Sequence, residues 1–224
     1  MHLLISKKIV IYLLTFCFLV SINNISFMNV SLPKISKIEI NGLNLDERKK
    51  IENIIYDSNS KNIFHLDKEY LKKKINSINI IEQFEIFKKY PSTIKIFIEK
   101  TKILAKTKRN GFDYLIGSNG KLIENKDFIL ELPFIFGDLD ISEFLKLKRK
   151  IDSSIFEFSE ISNLYLYKSN RWDIETRNGN LIKLPNNNIK EILNLYVRLS
   201  DEKKINQKTI IDFRQKNQII LNEK

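Results

Sequence analysis

The chain offers few side chains that could carry out catalysis or bind a metal. Its 224 residues include two His and one Cys, and neither His2 nor His65 has a second ligand at the spacing that metal sites use. Asp138 and Asp140 are close only in sequence, and capping of a helix explains Asp140. The six Gly residues are scattered singly, so there is no glycine-rich phosphate loop. We therefore expect no enzyme, no cofactor, no metal and no small-molecule substrate.

The residues best suited to protein recognition are two arginines and one tryptophan. Only seven of the 38 basic residues are Arg, which makes Arg171 and Arg214 uncommon side chains in this chain. Each could form a surface ion pair of little energetic weight or bind a partner carboxylate through two hydrogen bonds. Trp172 is the only Trp, and both core packing and a role as an interface anchor are open to it.

The net charge of +11 comes mainly from lysine. Lys, Ile and Asn are frequent while Ala occurs once, at Ala105, a bias that indicates drift in base composition. A nucleic-acid groove would more often combine Arg with interleaved aromatic residues. We therefore expect a solvated lysine-rich surface and no nucleic-acid partner. The competing interpretation is an exported basic protein that binds an anionic polymer or a membrane surface, with an affinity that falls steeply with salt.

An uncharged segment near the N terminus predicts a membrane anchor. No residue from Ile9 to Pro33 is charged, and two lysines precede this segment. About 20 apolar residues cross a bilayer as a helix, and the positive flank places the N terminus in the cytoplasm. We expect a cytoplasmic tail at 1–8 and a single transmembrane helix at 9–30, with the rest in the periplasm. A cleavable signal peptide is the alternative.

The pattern of residues 34–102 predicts the order strand, helix, helix, strand, strand. Alternating runs of polar and apolar residues mark the strands, and small polar residues mark the helix starts. Strands are predicted at 37–40, 84–87 and 93–99, and helix N-caps at Asn44 or Asp46 and at Asp67. This order makes an α+β unit with two helices on one face of a small sheet.

Residues 103–224 read as a mixed β-rich domain with supporting helices. Asn119-Gly120 and Asn178-Gly179 stand between alternating runs, and such dipeptides favour two-residue hairpins because both positions tolerate positive φ. Helices are predicted after Asp140 and after Asn187 or Asn188, and further strands at 161–167, 209–214 and 218–221. The last of these strands is expected to form an exposed edge at the C terminus.

Two sets of short motifs follow one another along the chain. The first set is Ile38-Glu39-Ile40-Asn41-Gly42, Asn62-Ile63-Phe64-His65-Leu66-Asp67, Tyr90-Pro91-Ser92-Thr93-Ile94-Lys95-Ile96 and Glu99-Lys100. The second set is Leu132-Pro133 with Gly137, Arg171-Trp172-Asp173-Ile174, Asn178-Gly179, Lys183-Leu184-Pro185 and Ile211-Asp212-Phe213-Arg214. The first set resembles a POTRA domain. With the second set, the whole chain resembles the bacterial cell-division family FtsQ/DivIB, from which it departs in its short N-terminal tail and at Lys183 and Phe213.

The resemblance implies a fold and a function. It implies a POTRA domain at 34–102 and an FtsQ-type β domain at 103–224, in a bitopic inner-membrane protein of the division septum. The implied partners are FtsB and FtsL, bound by the β domain, and other divisome proteins contacted through the POTRA domain. The implied partner-binding residues are Arg171, Trp172, Arg214, Gln218, Ile219, Ile220 and Leu221. The alternative is another membrane-anchored POTRA-type protein of periplasmic assembly or secretion.

Overall fold

The structure, a computed structural model, describes residues 7–22, 33–58, 62–124, 131–215 and 218–223. Its helices are α1 (Lys7–Ile22), α2 (Leu45–Asp57), α3 (Lys68–Asn76), α4 (Ile141–Asp152) and α5 (Ile189–Asp201). The strands of a first sheet are β1 (Lys37–Asn41), β2 (Ile81–Lys89) and β3 (Thr93–Lys100). The strands of a second sheet are β4 (Ile103–Arg109), β5 (Phe112–Gly117), β6 (Leu122–Glu124), β7 (Phe134–Phe136), β8 (Ile161–Leu166), β9 (Trp172–Thr176), β10 (Leu181–Lys183), β11 (Thr209–Asp212) and β12 (Ile220–Glu223).

The expectation of a membrane-spanning helix at 9–30 is wrong. None of the helices in the described ranges is both long enough and apolar enough to cross a bilayer. Helix α1 has 16 residues within the described ranges. Residues 1–6 and 23–30, which complete the expected tail and anchor, lie outside the described residues.

The POTRA-like unit has the predicted order of elements. Strand β3 lies between β1, to which it is parallel, and β2, to which it is antiparallel. Helices α2 and α3 contact each other, and their buried residues share one core with the sheet. That core includes Ile40, Ile51, Ile55, Leu71, Ile75, Ile94, Ile96 and Ile98. The expected α+β fold of this unit is confirmed.

Both helix starts in this unit are capped by the predicted residues. The Asn44 side chain accepts a hydrogen bond from the Glu47 backbone N–H, and the Glu47 side chain accepts one from the Asn44 N–H. The Asp67 carboxylate accepts hydrogen bonds from the backbone N–H groups of Glu69 and Tyr70. Each cap satisfies backbone donors that a helix start otherwise leaves unpaired.

The second sheet has nine strands in the order β12-β11-β10-β9-β8-β7-β4-β5-β6. Three neighbouring strands at its centre, β4, β7 and β8, are parallel, and so are β10 and β11. The sequence patterns did not predict β4 or β7. Strand β7 has only three residues, which is too short for alternation to be recognised.

Helices α4 and α5 cover one face of the second sheet and contact each other. Alternate strand residues point into this core, which includes Ile135, Leu164, Trp172, Ile174, Ile182 and Ile211 together with Phe144, Leu193 and Tyr196 from the helices. Asp140 caps α4 as predicted, since its side chain accepts a hydrogen bond from Ser142 N–H. Asn188 occupies the N-cap of α5 with a left-handed backbone, and its side chain makes no capping bond.

The two Asn-Gly hairpins differ from the predicted turn. Only the glycines have positive φ, +75° at Gly120 and +83° at Gly179, while Asn119 and Asn178 do not. The backbone N–H of Gly117 bonds to Lys121 C=O, so the first loop contains three residues. This is the hairpin class in which a type I turn ends in a left-handed glycine.

The Asn119 turn also joins the two sheets. The Asn119 amide donates hydrogen bonds to the carbonyls of Asn79 and Ile81, at 2.8 and 2.9 Å, in the segment that leads into β2. In return Asn79 donates to Leu122 C=O at 2.7 Å, and Ser118 donates to the Glu82 carboxylate at 2.9 Å. We call this set of contacts the inter-sheet joint. The domain boundary between residues 102 and 103 stays a prediction.

Candidate functional site

The C-terminal strand β12 is the outermost strand of the nine-stranded sheet. It pairs antiparallel with β11, with Ile211 opposite Leu221 and Asp212 opposite Ile220. No other strand of the described chain pairs with its outer side, so its outward backbone groups are open to another strand. Ile219, Ile220 and Leu221 are 38–49% exposed. The predicted edge strand is therefore present, two residues later than the predicted range of 218–221.

A row of polar residues crosses the open face of the sheet toward this edge. Asp173 of β9 lies opposite Lys183 of β10, which lies opposite Asp212 of β11. Because alternate strand residues point to opposite faces, these side chains lie on the face away from the helices. Both candidate arginines pair with the carboxylates of this row.

Arg171 pairs with a buried carboxylate. Its Nε lies 3.3 Å from Asp173 Oδ1, and its guanidinium lies over the Tyr167 ring at 4.3 Å. The Asp173 side chain is fully buried, and its Oδ2 has no hydrogen-bond partner among the described residues. Burial raises the pKa of Asp173 above its ordinary value, and the charge of Arg171 opposes this in part.

Arg214 pairs with Asp212 through two side-chain hydrogen bonds. Its Nε donates to Asp212 Oδ1 at 2.7 Å and its Nη2 donates to Oδ2. The Arg214 backbone N–H also donates to Asp212 Oδ1, at 3.0 Å. These bonds lower the pKa of Asp212 and raise the pKa of Arg214. The pair is a two-bond fork of the kind that fixes the plane of a guanidinium.

The two arginines are held in place and yet remain accessible. The side chains of Arg171 and Arg214 are 25% and 34% exposed. A guanidinium has five N–H donors, and the internal carboxylates use one in Arg171 and two in Arg214. The remaining donors can bind a carboxylate of another protein without first ordering the side chain, which reduces the entropic cost of binding.

The other predicted site residues lie in two places. Gln218 and Ile219 are exposed immediately before β12. Trp172 is 5% exposed and belongs to the core on the helix side of the sheet, so the structure does not bring it together with the arginines. A partner-binding role for these residues stays a prediction.

The sequence patterns missed the carboxylates that orient the arginines. The sequence places each carboxylate two residues from its arginine, as Arg171-x-Asp173 and Asp212-x-Arg214. Residues two apart in extended backbone lie on one face, so this spacing could have indicated both pairs. Across the residues that the structure describes, no group of three or more His, Cys, Asp or Glu side chains is placed to hold a metal ion. Two accessible and already oriented arginines beside an unpaired strand edge are suited to protein recognition.

Two family models match the chain in its sequence. The model described as POTRA domain, FtsQ-type, matches residues 34–100, and the model described as Cell division protein FtsQ/DivIB, C-terminal, matches residues 105–214. The chain belongs to the FtsQ/DivIB family. The resemblance inferred from the motifs is thereby confirmed, and the family is one of cell-division proteins.

Individual relatives agree with the FtsQ/DivIB assignment. The chain is 25% identical to the cell division protein DivIB of Bacillus subtilis (strain 168) over 122 residues, covering 54% of this chain and 46% of the relative. It is 30% identical to DivIB of Clostridium botulinum (strain Loch Maree / Type A3) over 152 residues, covering 63% of this chain and 57% of the relative. The match thus spans about half the length of these curated relatives.

A solved structure of an FtsQ/DivIB member also matches, at low similarity. It is the major extracytoplasmic domain of the trans isomer of DivIB from Geobacillus stearothermophilus, with a TM-score of 0.35 and 11% identity. The match covers 48% of this chain and 98% of that chain. At this TM-score the likeness adds nothing to the family assignment.

Proposed function

We propose that the chain acts at the division septum as a scaffold that binds the FtsB–FtsL complex through β12. A strand of the partner adds to the open edge of β12, and main-chain hydrogen bonds supply affinity. Arg171 and Arg214 bind partner carboxylates and set register and partner choice. The POTRA-like unit contacts other division proteins and assists recruitment. The observation that supports this proposal is the exposed outer side of β12 beside two arginines that internal carboxylates already orient.

The binding experiment uses the full chain and the FtsB–FtsL segments from the same organism. We expect saturable binding at low and at moderate salt, and loss of binding when the chain ends at Asn217 and so lacks β12. Main-chain hydrogen bonds do not depend on counterions, so the salt dependence should be weak. A shortened chain that is folded and binds as well as the full chain would contradict the role of β12. Affinity that collapses with salt for any polyanion would instead favour simple charge attraction.

The role of Arg214 is tested by charge reversal. We expect Arg214→Glu to weaken FtsB–FtsL binding about tenfold or more, because a charge-assisted hydrogen bond is worth about 1.5–3 kcal/mol. Arg109→Glu is the matched control, since Arg109 is an exposed arginine at the end of β4, far from β12 in the strand order. Isothermal titration measures the affinity and urea unfolding measures the fold. Unchanged affinity in a folded Arg214→Glu variant would remove Arg214 from the proposed interface.

A further inference from the structure

The first sheet has an open face that lies outside the proposed β12 interface. Ile94, Ile96 and Ile98 of β3 are buried against the helices. The residues that alternate with them, Lys95, Phe97 and Glu99, therefore lie on the opposite face. The strand register places Glu85 and Asn41 on either side of Phe97, and Gln83 beside Glu99.

Two aromatic rings form the centre of this open face. Phe87 and Phe97 are each 46% exposed, and their rings meet edge to face with centroids 5.8 Å apart. Adjoining exposed apolar side chains rimmed by polar residues are a feature of protein interaction sites. The pair lies between two differently charged parts of the face.

On one side of the aromatic pair, two lysines form ion pairs with one glutamate. Glu39 accepts from Lys37 and from Lys95, each at 2.7 Å. The hydrogen bonds from Lys37 and then Lys95 lower the pKa of Glu39 to about 2. Lys37 and Lys95 therefore pair with Glu39 and not with the carboxylates on the other side, and the third lysine of this face, Lys89, lies opposite Thr93 at the end of the sheet away from those carboxylates.

On the other side of the pair, a groove carries two carboxylates. Its volume is about 400 Å³, within the range of ligand-binding clefts. Its lining residues are Asn41, Gly42, Gln83, Phe84, Glu85, Phe97, Ile98 and Glu99. Glu99 accepts a hydrogen bond from the Gln83 amide, and Glu85 has no hydrogen bond or ion pair with any residue in the described ranges. The lining contains no cation although the chain as a whole carries +11.

We propose that this acidic groove binds an arginine or lysine side chain from a basic, extended segment of a partner protein. The cation lies against the Phe97 ring, which attracts positive charge, and forms hydrogen bonds with the carboxylates of Glu85 and Glu99. The apolar stem of the side chain packs on the aromatic pair. Strand β2 is the outer strand of its sheet, so its free edge can pair with the backbone of the same segment.

The test is a titration of the full chain with a fluorescently labelled nine-residue peptide in which Arg and Val alternate. The same peptide with Glu in place of Arg is the negative probe. We expect saturable binding of the Arg peptide and at least a tenfold loss of affinity in Glu85→Gln and in Phe97→Ser. Amide resonances of β2 and β3 should shift on binding, while those of β12 should not.

The matched control is Asp57→Lys, compared with Glu85→Lys. Both variants change the charge by the same amount within the same unit, and Asp57 is an exposed residue at the end of α2, where a cation suits the helix dipole. Equal loss of affinity in the two variants, or equal binding of the Glu peptide, would overturn the proposal. Binding of FtsB–FtsL through β12 should be the same in Glu85→Gln as in the parent, so failure of one proposal is distinguishable from failure of the other.

Discussion

At the scale of residues, the sheet face beside β12 contains two aspartates whose pKa values are shifted in opposite directions. Asp173 is buried with one oxygen unpaired among the described residues, and burial raises its pKa. Asp212 binds Arg214 through both oxygens, and its pKa is lowered. The first carboxylate costs stability when it is charged, and the second contributes stability when it is charged. Their effects on stability should therefore depend on pH in opposite directions.

We expect the variant Asp173→Asn to become more stable relative to the parent as the pH rises. The folded parent holds the Asp173 proton more tightly than the unfolded chain, whose aspartates titrate near 3.8. The parent therefore loses stability through this group between that value and the raised pKa of the folded state, whereas Asn does not titrate. Urea unfolding at about pH 4 and about pH 7 measures the difference.

Asp212→Asn is the companion variant and should show the opposite trend. The ion pair of Asp212 stabilises the parent above the ordinary aspartate pKa, and this stabilisation is lost as the pH falls through the lowered value. The variant should therefore be less stable than the parent at neutral pH and should approach it in acid. A difference for Asp173→Asn that does not change with pH would show that burial is not the dominant effect.

At the scale of elements, the connection between β7 and α4 depends on one glycine. Gly137 has φ of +112°, and a Cβ built there would lie 2.2 Å from the Leu166 carbonyl oxygen at the end of β8. Gly111 also has positive φ, +84°, but a Cβ there meets nothing within 4 Å. The two positions share the backbone strain of a non-glycine residue, and only Gly137 adds a steric clash.

Gly137→Ala should therefore destabilise the protein much more than Gly111→Ala. We expect a loss of free energy of unfolding of about 1–2 kcal/mol for Gly111→Ala from backbone strain alone. For Gly137→Ala we expect about 3 kcal/mol or more, because β7 and β8 must also move apart. Equal losses in urea unfolding would mean that the close approach of Leu166 carries no cost.

The elements that sequence patterns predicted well are those specified by neighbouring residues. Asn44, Asp67 and Asp140 cap their helices as expected, because a cap acts within three residues. Strand β7 was missed because three residues are too few to show alternation, and β4 because its buried residues, Ala105 and Thr107, are not large apolar side chains. The Arg171 and Arg214 positions came from family motifs. The spacing of two residues places Asp173 and Asp212 on the same face as these arginines, but which face of the sheet the helices leave uncovered depends on tertiary packing, which local patterns do not specify.

At the scale of the whole molecule, the inter-sheet joint holds the POTRA-like unit against the nine-stranded sheet. Asn119 is its central residue, since one amide donates to two carbonyls of the other unit while its oxygen accepts from Lys121 N–H. Its partners are backbone groups with fixed positions. The joint should therefore set the orientation of the two units more sharply than surface ion pairs would.

We expect Asn119→Ala to lower the free energy of unfolding by about 1–3 kcal/mol, because two carbonyls lose their donors. Amide hydrogen exchange should also accelerate in the segment from Asn79 to Ile81, since that segment is no longer held by the turn. Asn178→Ala in the other Asn-Gly turn is the control, because Asn178 is exposed and its side chain makes no hydrogen bond with any residue in the described ranges. Equal effects of the two variants would assign the loss to turn propensity and not to the joint.

The order of strands gives the protein a fixed length between two contact regions. The inter-sheet joint involves the β5–β6 hairpin at one edge of the nine-stranded sheet, and β12 forms the opposite edge. With neighbouring strands about 4.8 Å apart, the two edges are separated by about 38 Å along the sheet. The sheet would thus fix the distance between a partner bound at β12 and the POTRA-like unit at the other edge. Adding or removing a strand would change that distance in steps of about 4.8 Å, while the contacting residues at the two edges would stay the same.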